Sequence, residues 1–164
     1  FEWMSIGPFV NHEGSAFLTT ISAENTLEIG RPYVGRSEMM VNWEPLHQKS
    51  VWLDVEPAFK SGPGAILMAA QLRFPSAGSY KMTIVGSPGV IASVDGIKVI
   101  SYHDDHTPVP RRKDRYSANF ATTGESMIRL KLLRGKSPCA PLIIWFSTPE
   151  GQIVQPISLP LQGS

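Results

Sequence analysis

The segment from Gly78 to Tyr102 constrains the fold of this chain more than any other part of the sequence. Two turn signals, Gly86-Ser-Pro-Gly89 and Asp95-Gly96, divide it into three short runs rich in apolar residues. An Asp-Gly pair between apolar runs is a strong hairpin signal, because both residues adopt the positive φ angles that a tight two-residue turn requires. The segment therefore predicts three short β-strands separated by two turns.

The same alternation of apolar runs with glycine and proline continues along the chain. The 14 glycines, 14 prolines and 18% charged residues fit a turn-rich β protein better than a helical one. The other strand-like runs are Phe1–Phe9, Met40–Glu44, Val51–Val55, Ala65–Phe74, Ser117–Thr122, Ser126–Leu133, Leu142–Ser147, Ile153–Val154 and Ile157–Leu159. Because each strand must bury one face, we predict an all-β fold: an antiparallel β-sandwich of jelly-roll type with about ten short strands.

Two segments leave a choice between structures. The run Ala65–Phe74 is rich in alanine and methionine, which favours a helix, but it is short and ends at Pro75. We therefore predict a strand that is buried on both faces. Residues 10–38 are polar and punctuated by glycine and proline, which predicts a long irregular excursion. This excursion and the loop at 103–116 favour jelly-roll crossings over the alternative, an up-and-down barrel.

Length and cysteine content indicate one domain without disulfides. A chain of 164 residues can bury a core without covalent cross-links, so we expect a single β-sandwich domain over residues 1–164. The chain begins with Phe1, and we expect it to be excised from a longer protein. The lone Cys139 precedes an apolar run and is expected to be a small buried hydrophobe, not a nucleophile.

Charge and hydropathy narrow the classes of partner. The formal net charge is +1 and Arg111–Arg115 is the one basic run, so nucleic-acid binding is not expected. That run is predicted to be a solvated loop, with docking to an acidic partner domain as the alternative. No stretch approaches the roughly 20 apolar residues that span a bilayer, so direct membrane insertion is not expected.

Several motifs together point to a known family. They are Trp3-x-x-Ile6-Gly7-Pro8-Phe9, Tyr33-x-Gly35, Val41-x-Trp43, Gly78-x-Tyr80 and Val94-Asp-Gly-Ile-Lys-Val99. This pattern resembles the PA14-like and galactose-binding-like jelly-roll domains, which are accessory modules of exported bacterial proteins. The resemblance implies a non-catalytic, extracytoplasmic module (secreted, periplasmic or at the cell surface) that binds carbohydrate or another surface ligand for a larger protein. The alternative is a structural or protein–protein interaction module that packs against neighbouring domains or subunits.

The resemblance also carries an expectation about calcium. In the sugar-binding PA14 lectins, two adjacent aspartates after the tyrosine strand hold a calcium ion. The corresponding segment here, Val85-Gly-Ser-Pro-Gly89, has no carboxylate. Calcium takes six or more oxygen ligands, several of them from carboxylates. We therefore predict no calcium-dependent sugar binding and no cofactor.

One cluster has the residue types of a metal site. His103-Asp104-Asp105-His106 places two imidazoles and two carboxylates side by side, and both groups bind Zn²⁺. Adjacent ligands in one loop rarely close a site alone, and no other set has suitable spacing, so we predict a solvated loop and no metal. Arg111 and Arg112 are further candidates for ligand contact, since they could meet an anionic glycan.

The tryptophans are the candidates for sugar stacking. Trp43 and Trp52 flank a polar loop, and an exposed indole can stack on the apolar face of a pyranose. The alternative is that they pack between the sheets, as we expect for Trp145. The acidic residues are scattered and no catalytic motif is present, so we predict that the chain is not an enzyme; a glycosidase would need a pair of carboxylates across a cleft.

Overall fold

A computed structural model of the chain describes residues 1–86, 89–103 and 115–161. The described residues form fourteen strands: β1 (Glu2–Phe9), β2 (Tyr33–Val34), β3 (Met40–Val41), β4 (Glu44–His47), β5 (Trp52–Leu53), β6 (Gly64–Arg73), β7 (Gly78–Val85), β8 (Gly89–Val94), β9 (Ile97–His103), β10 (Arg115–Thr122), β11 (Glu125–Arg134), β12 (Leu142–Ser147), β13 (Ile153–Val154) and β14 (Ile157–Leu159). The helical elements are 3₁₀ turns at His12–Phe17 and Arg36–Glu38 and one α-helical turn, α1 (Glu56–Phe59). Among these described residues, no helix is long and apolar enough to cross a membrane.

Two antiparallel sheets face each other. The seven-stranded sheet has the order β4-β1-β6-β11-β8-β9, with β14 also paired to β6. The five-stranded sheet has the order β10-β7-β12-β13, with β5 also paired to β12. From β6 to β12 the chain passes repeatedly between the sheets, as jelly-roll crossings require. The predicted all-β antiparallel sandwich is therefore confirmed. Most of the strands beyond the predicted ten are only two residues long.

The two turn signals of the opening segment have different roles. Asp95 and Gly96 have φ angles of 50° and 81° and join β8 to β9 as a two-residue hairpin, which confirms that signal. The carboxylate of Asp95 accepts hydrogen bonds from the Met127 backbone N–H (2.8 Å) and the Ser126 hydroxyl (2.7 Å). Strand β7 lies in the five-stranded sheet and β8 in the seven-stranded sheet, so the chain changes layers between Gly86 and Gly89. Ser87 and Pro88 of that turn signal lie outside the described residues.

The inner core lies between the two sheets. Alternate residues of β11 face inward, with Ile128, Leu130 and Leu132 almost fully buried. Phe74 and Phe146 lie at the centre of an aromatic group, with ring centroids 5.4 Å apart and an edge-to-face angle of 84°. Burying one such side chain contributes about 1.5–3 kcal/mol. This core is the main source of cohesion between the sheets.

Strand β6 is covered on both faces. Its inward residues, including Ile66 and Leu72, belong to the inner core, and its outward residues, including Ala65 and Leu67, belong to a second cluster. A strand buried on both faces has no polar side to alternate with, which explains its continuous apolar sequence. The prediction of a doubly buried strand is confirmed.

Residues 10–38, here called the cover segment, make the second core. They lie over the outer face of the seven-stranded sheet, where their few apolar side chains, such as Ala16 and Leu27, pack against Ile6, Leu67 and Leu133. The sequence correctly indicates an irregular conformation. Because apolar residues are sparse here and follow no strand or helix period, it does not indicate that the segment is packed against a sheet.

One buried ion pair attaches the cover segment to β11. The Lys131 side chain is only 7% exposed, and its Nζ lies 2.5 Å from Glu24 Oε1 and 2.6 Å from the Thr19 carbonyl oxygen. Beside it, Arg129 Nη1 donates to the Glu24 carbonyl oxygen at 2.5 Å. A buried cation is costly unless it is paired and hydrogen-bonded. The position of Glu24 therefore determines where the cover segment lies on the sheet.

The prediction that Trp145 belongs to the core is wrong. The register of β12 puts Leu142, Ile144 and Phe146 inside, so Trp145 lies half-buried on the outer face of the five-stranded sheet. The guanidinium of Arg115 lies over its ring, 5.4 Å from the centroid. The run 142–146 is apolar on both faces, so its period does not reveal which alternate residues point inward.

We expect Glu24→Gln to lower the free energy of unfolding by about 3 kcal/mol, because it leaves the Lys131 charge buried without a counter-charge. The measurement is equilibrium urea denaturation. Glu28→Gln is the matched control, because its partner Arg31 is 58% exposed and that pair is screened by water. Equal midpoints for the two variants would contradict the proposed anchoring.

Candidate functional site

A cavity of about 360 Å³ opens between the cover segment and the outer face of the seven-stranded sheet. We call it the Trp43 cavity. Its apolar lining includes Phe17, Leu18 and Trp43, and its base comes from β6, β8, β9 and β11. The polar or charged lining residues are Thr19, Thr20, Glu24, Asn25, Ser93, Lys98, Arg129 and Lys131. An aromatic wall facing several fixed polar groups is the usual composition of a small-molecule site.

Trp43 carries an unsatisfied polar atom at this site. The side chain packs in the second core and is 7% exposed, and its indole Nε1 has no hydrogen-bond partner among the described residues. An indole N–H can only donate, and a buried donor without an acceptor is uncommon and costly.

The charges at the cavity are unequal. Three cations line it (Lys98, Arg129 and Lys131) against one carboxylate, that of Glu24. Lys131 is neutralised by Glu24 in the buried pair described above. The cavity therefore keeps an excess of positive charge that comes from Lys98 and Arg129.

The structure separates the two tryptophans that the sequence singles out. Trp43 belongs to the second core, over the seven-stranded sheet. Trp52 is 56% exposed and lies on β5 of the five-stranded sheet, opposite Ile143. Trp43 is packed in a core, as the alternative prediction had it, although this core is not the one between the two sheets. Trp52 is exposed, as a stacking platform requires. The two rings therefore do not form one site.

The remaining predicted candidates fall at the margin of the described residues. His103 is the last residue of β9. Asp104, Asp105, His106, Arg111 and Arg112 lie outside the described residues, so their roles stay predictions. Within the described ranges, no group of three or more His, Cys, Asp or Glu side chains comes close enough together to hold a metal ion.

Sequence reasoning did not identify Ser93, Lys98 and Arg129 as site residues. A signal for Arg129 was present: with Lys131 it alternates with apolar residues along β11, which marks the outward face of that strand. A charged pair at period two on a strand normally indicates a solvated face. Only the packing of the cover segment turns that face into the base of a cavity.

A second depression borders β13, and we call it the β13 groove. Its volume is about 370 Å³, and its apolar lining includes Phe1, Val51, Trp145, Ile153 and Pro156. Three nearby side chains are largely exposed: Val51 at 50%, Ile153 at 67% and Ile157 at 64%. This region is more apolar and less rich in fixed charges than the Trp43 cavity.

Cys139 is separate from both depressions. It is buried, and its backbone N–H donates to Glu56 Oε2 at 2.8 Å, while Glu56 Oε1 pairs with Arg134 at 2.8 Å. Burial raises the pKa of the thiol to about 12; the Glu56 carboxylate acts in the same direction and Arg134 opposes both. The thiol is therefore protonated at neutral pH, and the prediction of a buried hydrophobe is confirmed.

We expect native Cys139 to react with a disulfide reagent such as DTNB at pH 8 about a hundredfold more slowly than in the chain unfolded in guanidinium, because the reagent needs an exposed thiolate. Absorbance of the released thiolate measures both rates. Rapid stoichiometric labelling of the folded chain would contradict the burial and the raised pKa.

Comparison with known proteins finds similar structures but no similar sequences. No family model matches the sequence, and no curated protein matches it. An anti-sigma factor domain-containing protein matches with a TM-score of 0.54 and 10% identity, over 92% of this chain and 44% of that chain. The A domain of epithelial adhesin 9 from Candida glabrata, solved with Galβ1-3GlcNAc, matches with a TM-score of 0.51 and 8% identity, over 94% of this chain and 84% of that chain.

A PA14 sugar-binding domain from an RTX adhesin also matches, with a TM-score of 0.43 and 17% identity, over 58% of this chain and 52% of that chain. Glycosidases from Kluyveromyces marxianus and Xanthomonas citri are among the other matches. The chain thus spans about half the length of the RTX adhesin domain and of the anti-sigma factor structure. The similarities support a β-sandwich fold like that of the epithelial adhesin 9 A domain, in agreement with the PA14-like resemblance of the sequence motifs.

Proposed function

We propose that this chain is a non-catalytic carbohydrate-binding module that serves a larger extracytoplasmic protein. The observation that carries the proposal is the Trp43 cavity, where one wall is aromatic and apolar and the base presents fixed donors. A sugar ring needs both features, because its C–H face is apolar and its hydroxyl groups must keep hydrogen bonds when they leave water.

The position of the cavity also supports binding. The cover segment is irregular backbone held on a rigid sheet, and binding residues are often carried by loops that such a scaffold positions. Asn25 and Leu18 are exposed at the cavity and belong to this segment, whereas Ser93 and Arg129 belong to the sheet. A ligand in the cavity would therefore contact the cover segment on one side and the seven-stranded sheet on the other.

The distribution of carboxylates supports the non-catalytic part of the proposal. Retaining and inverting glycosidases use two carboxylates roughly 5–10 Å apart. Among the described lining residues of the Trp43 cavity, Glu24 has the only carboxylate, and it is engaged by Lys131. The epithelial adhesin 9 domain, solved with a disaccharide, is an example of this fold in a protein that binds sugar.

We expect the isolated chain to bind saturably on a glycan array without added calcium, and Asn25→Ala to weaken binding about tenfold, because it removes a hydrogen-bonding group from the cavity. Asn25 is exposed, so its variant should fold normally. Trp52→Ala is the control, since it changes an exposed tryptophan on the other sheet. If only Trp52→Ala lost binding, the sugar site would lie on the five-stranded sheet and not at the Trp43 cavity. If the folded protein bound no glycan on the array, the proposal would be rejected.

The second candidate function is packing against neighbouring domains or subunits. The specific observation in its favour is the β13 groove with the exposed residues Val51, Trp52, Ile153 and Ile157 around it. Contiguous exposed apolar surface frequently marks a protein–protein contact. A groove of this kind provides area for docking but few groups to orient a sugar.

If the groove joins subunits, the chain should dimerise with rising concentration in sedimentation velocity, and Ile153→Glu should keep it monomeric, because a charge cannot be desolvated in the contact without a partner. Val34→Glu is a matched control, since Val34 is 64% exposed on β2, which is outside the groove. A monomer at all concentrations would count against self-association through this surface.

A further inference from the structure

A row of three polar side chains crosses the base of the Trp43 cavity. Arg129 of β11 lies opposite Ser93 of β8, and Ser93 lies opposite Lys98 of β9. Neighbouring strands are about 4.8 Å apart, so roughly 10 Å separates the two cationic residues at the backbone. The small hydroxyl of Ser93 lies between them, and all three residues line the cavity.

A β-bulge is responsible for the third member of this row. The β8–β9 ladder pairs Ala92 with Ile100, but the next pair is Ser93 with Lys98, so Val99 is the extra residue. A bulge inserts one residue on one strand and changes which side chain faces the partner strand. In a regular ladder Ser93 would face Val99. The bulge therefore places an ammonium group where an apolar side chain would otherwise stand.

Among the residues that the structure describes, the two cations of the row have no carboxylate partner. Arg129 uses Nη1 to hold the Glu24 carbonyl oxygen, and in the described ranges no carboxylate forms an ion pair with Arg129 or Lys98. Guanidinium and ammonium groups donate hydrogen bonds and accept none. The base of the cavity is thus rich in donors, and the ligand best matched to it is a strong acceptor.

Building on the proposed carbohydrate function, we propose that the Trp43 cavity binds a sugar that carries a carboxylate, either a hexuronate or a sialate. The carboxylate lies on the Arg129–Ser93–Lys98 row, and the ring lies toward the wall that contains Trp43. An ionised carboxylate only accepts hydrogen bonds, and its bonds to guanidinium and ammonium groups are roughly twice as strong as neutral ones. The row therefore selects acidic sugars over neutral ones.

The test is calorimetric titration of the full chain with trigalacturonate and with its methyl ester. The ester keeps the rings and hydroxyl groups but removes the negative charges. We expect the acid to bind at least about tenfold more tightly than the ester. Lys98→Gln should weaken binding of the acid much more than binding of the ester and so remove most of this preference, and because Lys98 is exposed on β9 the variant should fold. Lys136→Gln, the same change at an exposed position outside the cavity, is the control.

The outcomes separate this inference from the proposed function. Equal affinities for acid and ester, or equal effects of the Lys98 and Lys136 variants, would overturn the inference and leave carbohydrate binding standing. Equal binding of a sulfated galactan oligosaccharide, which carries negative charge but no carboxylate, would overturn the carboxylate assignment in the same way. Sialyllactose compared with lactose identifies a sialate as the source of the carboxylate. No binding of any sugar, acidic or neutral, would reject the proposed function and the inference together.

Discussion

The structure depends on the requirement that β6 be covered on both of its faces. With β11 it forms the centre of the seven-stranded sheet, and its side chains are apolar on both sides. One face is covered by the five-stranded sheet, as in any sandwich. The other needs a separate cover, because exposing Ala65, Leu67 and Ala69 to water would forfeit the burial that stabilises the strand. Residues 10–38 provide that cover, and the second core is the result.

The cover explains why a cavity exists. A long segment with few apolar residues cannot fill the whole outer face of a sheet, so it covers part of β6 and leaves space over the rest of that face, mainly at β8, β9 and β11. The polar side chains of that uncovered part, Ser93, Lys98 and Arg129, then become the base of a site. The Glu24–Lys131 pair lies at the boundary between packed and open regions. Packing and binding thus share the same few residues of β11.

Local signals predicted much of the fold. The Asp95-Gly96 hairpin, the doubly buried run at 65–74 and the jelly-roll class were predicted correctly, because turn chemistry and apolar alternation act over a few residues. The inward face of β12 was assigned wrongly at Trp145, since a run that is apolar on both sides has no readable period. Of the candidate binding residues, Trp43 was found as an aromatic beside polar neighbours, although its partners in the cavity come from strands distant in sequence.

By itself the sequence determined the strands, most of the turns and the two-layer class, because each of these follows from propensities and periods within ten or so residues. Tertiary structure alone decided which side of the seven-stranded sheet the cover segment occupies, which cations lack a carboxylate partner within the described ranges, and where the cavity opens. Those features depend on contacts such as Glu24 with Lys131, more than a hundred residues apart in the chain. No local pattern encodes a pairing at that separation, since it becomes favourable only after both cores have formed.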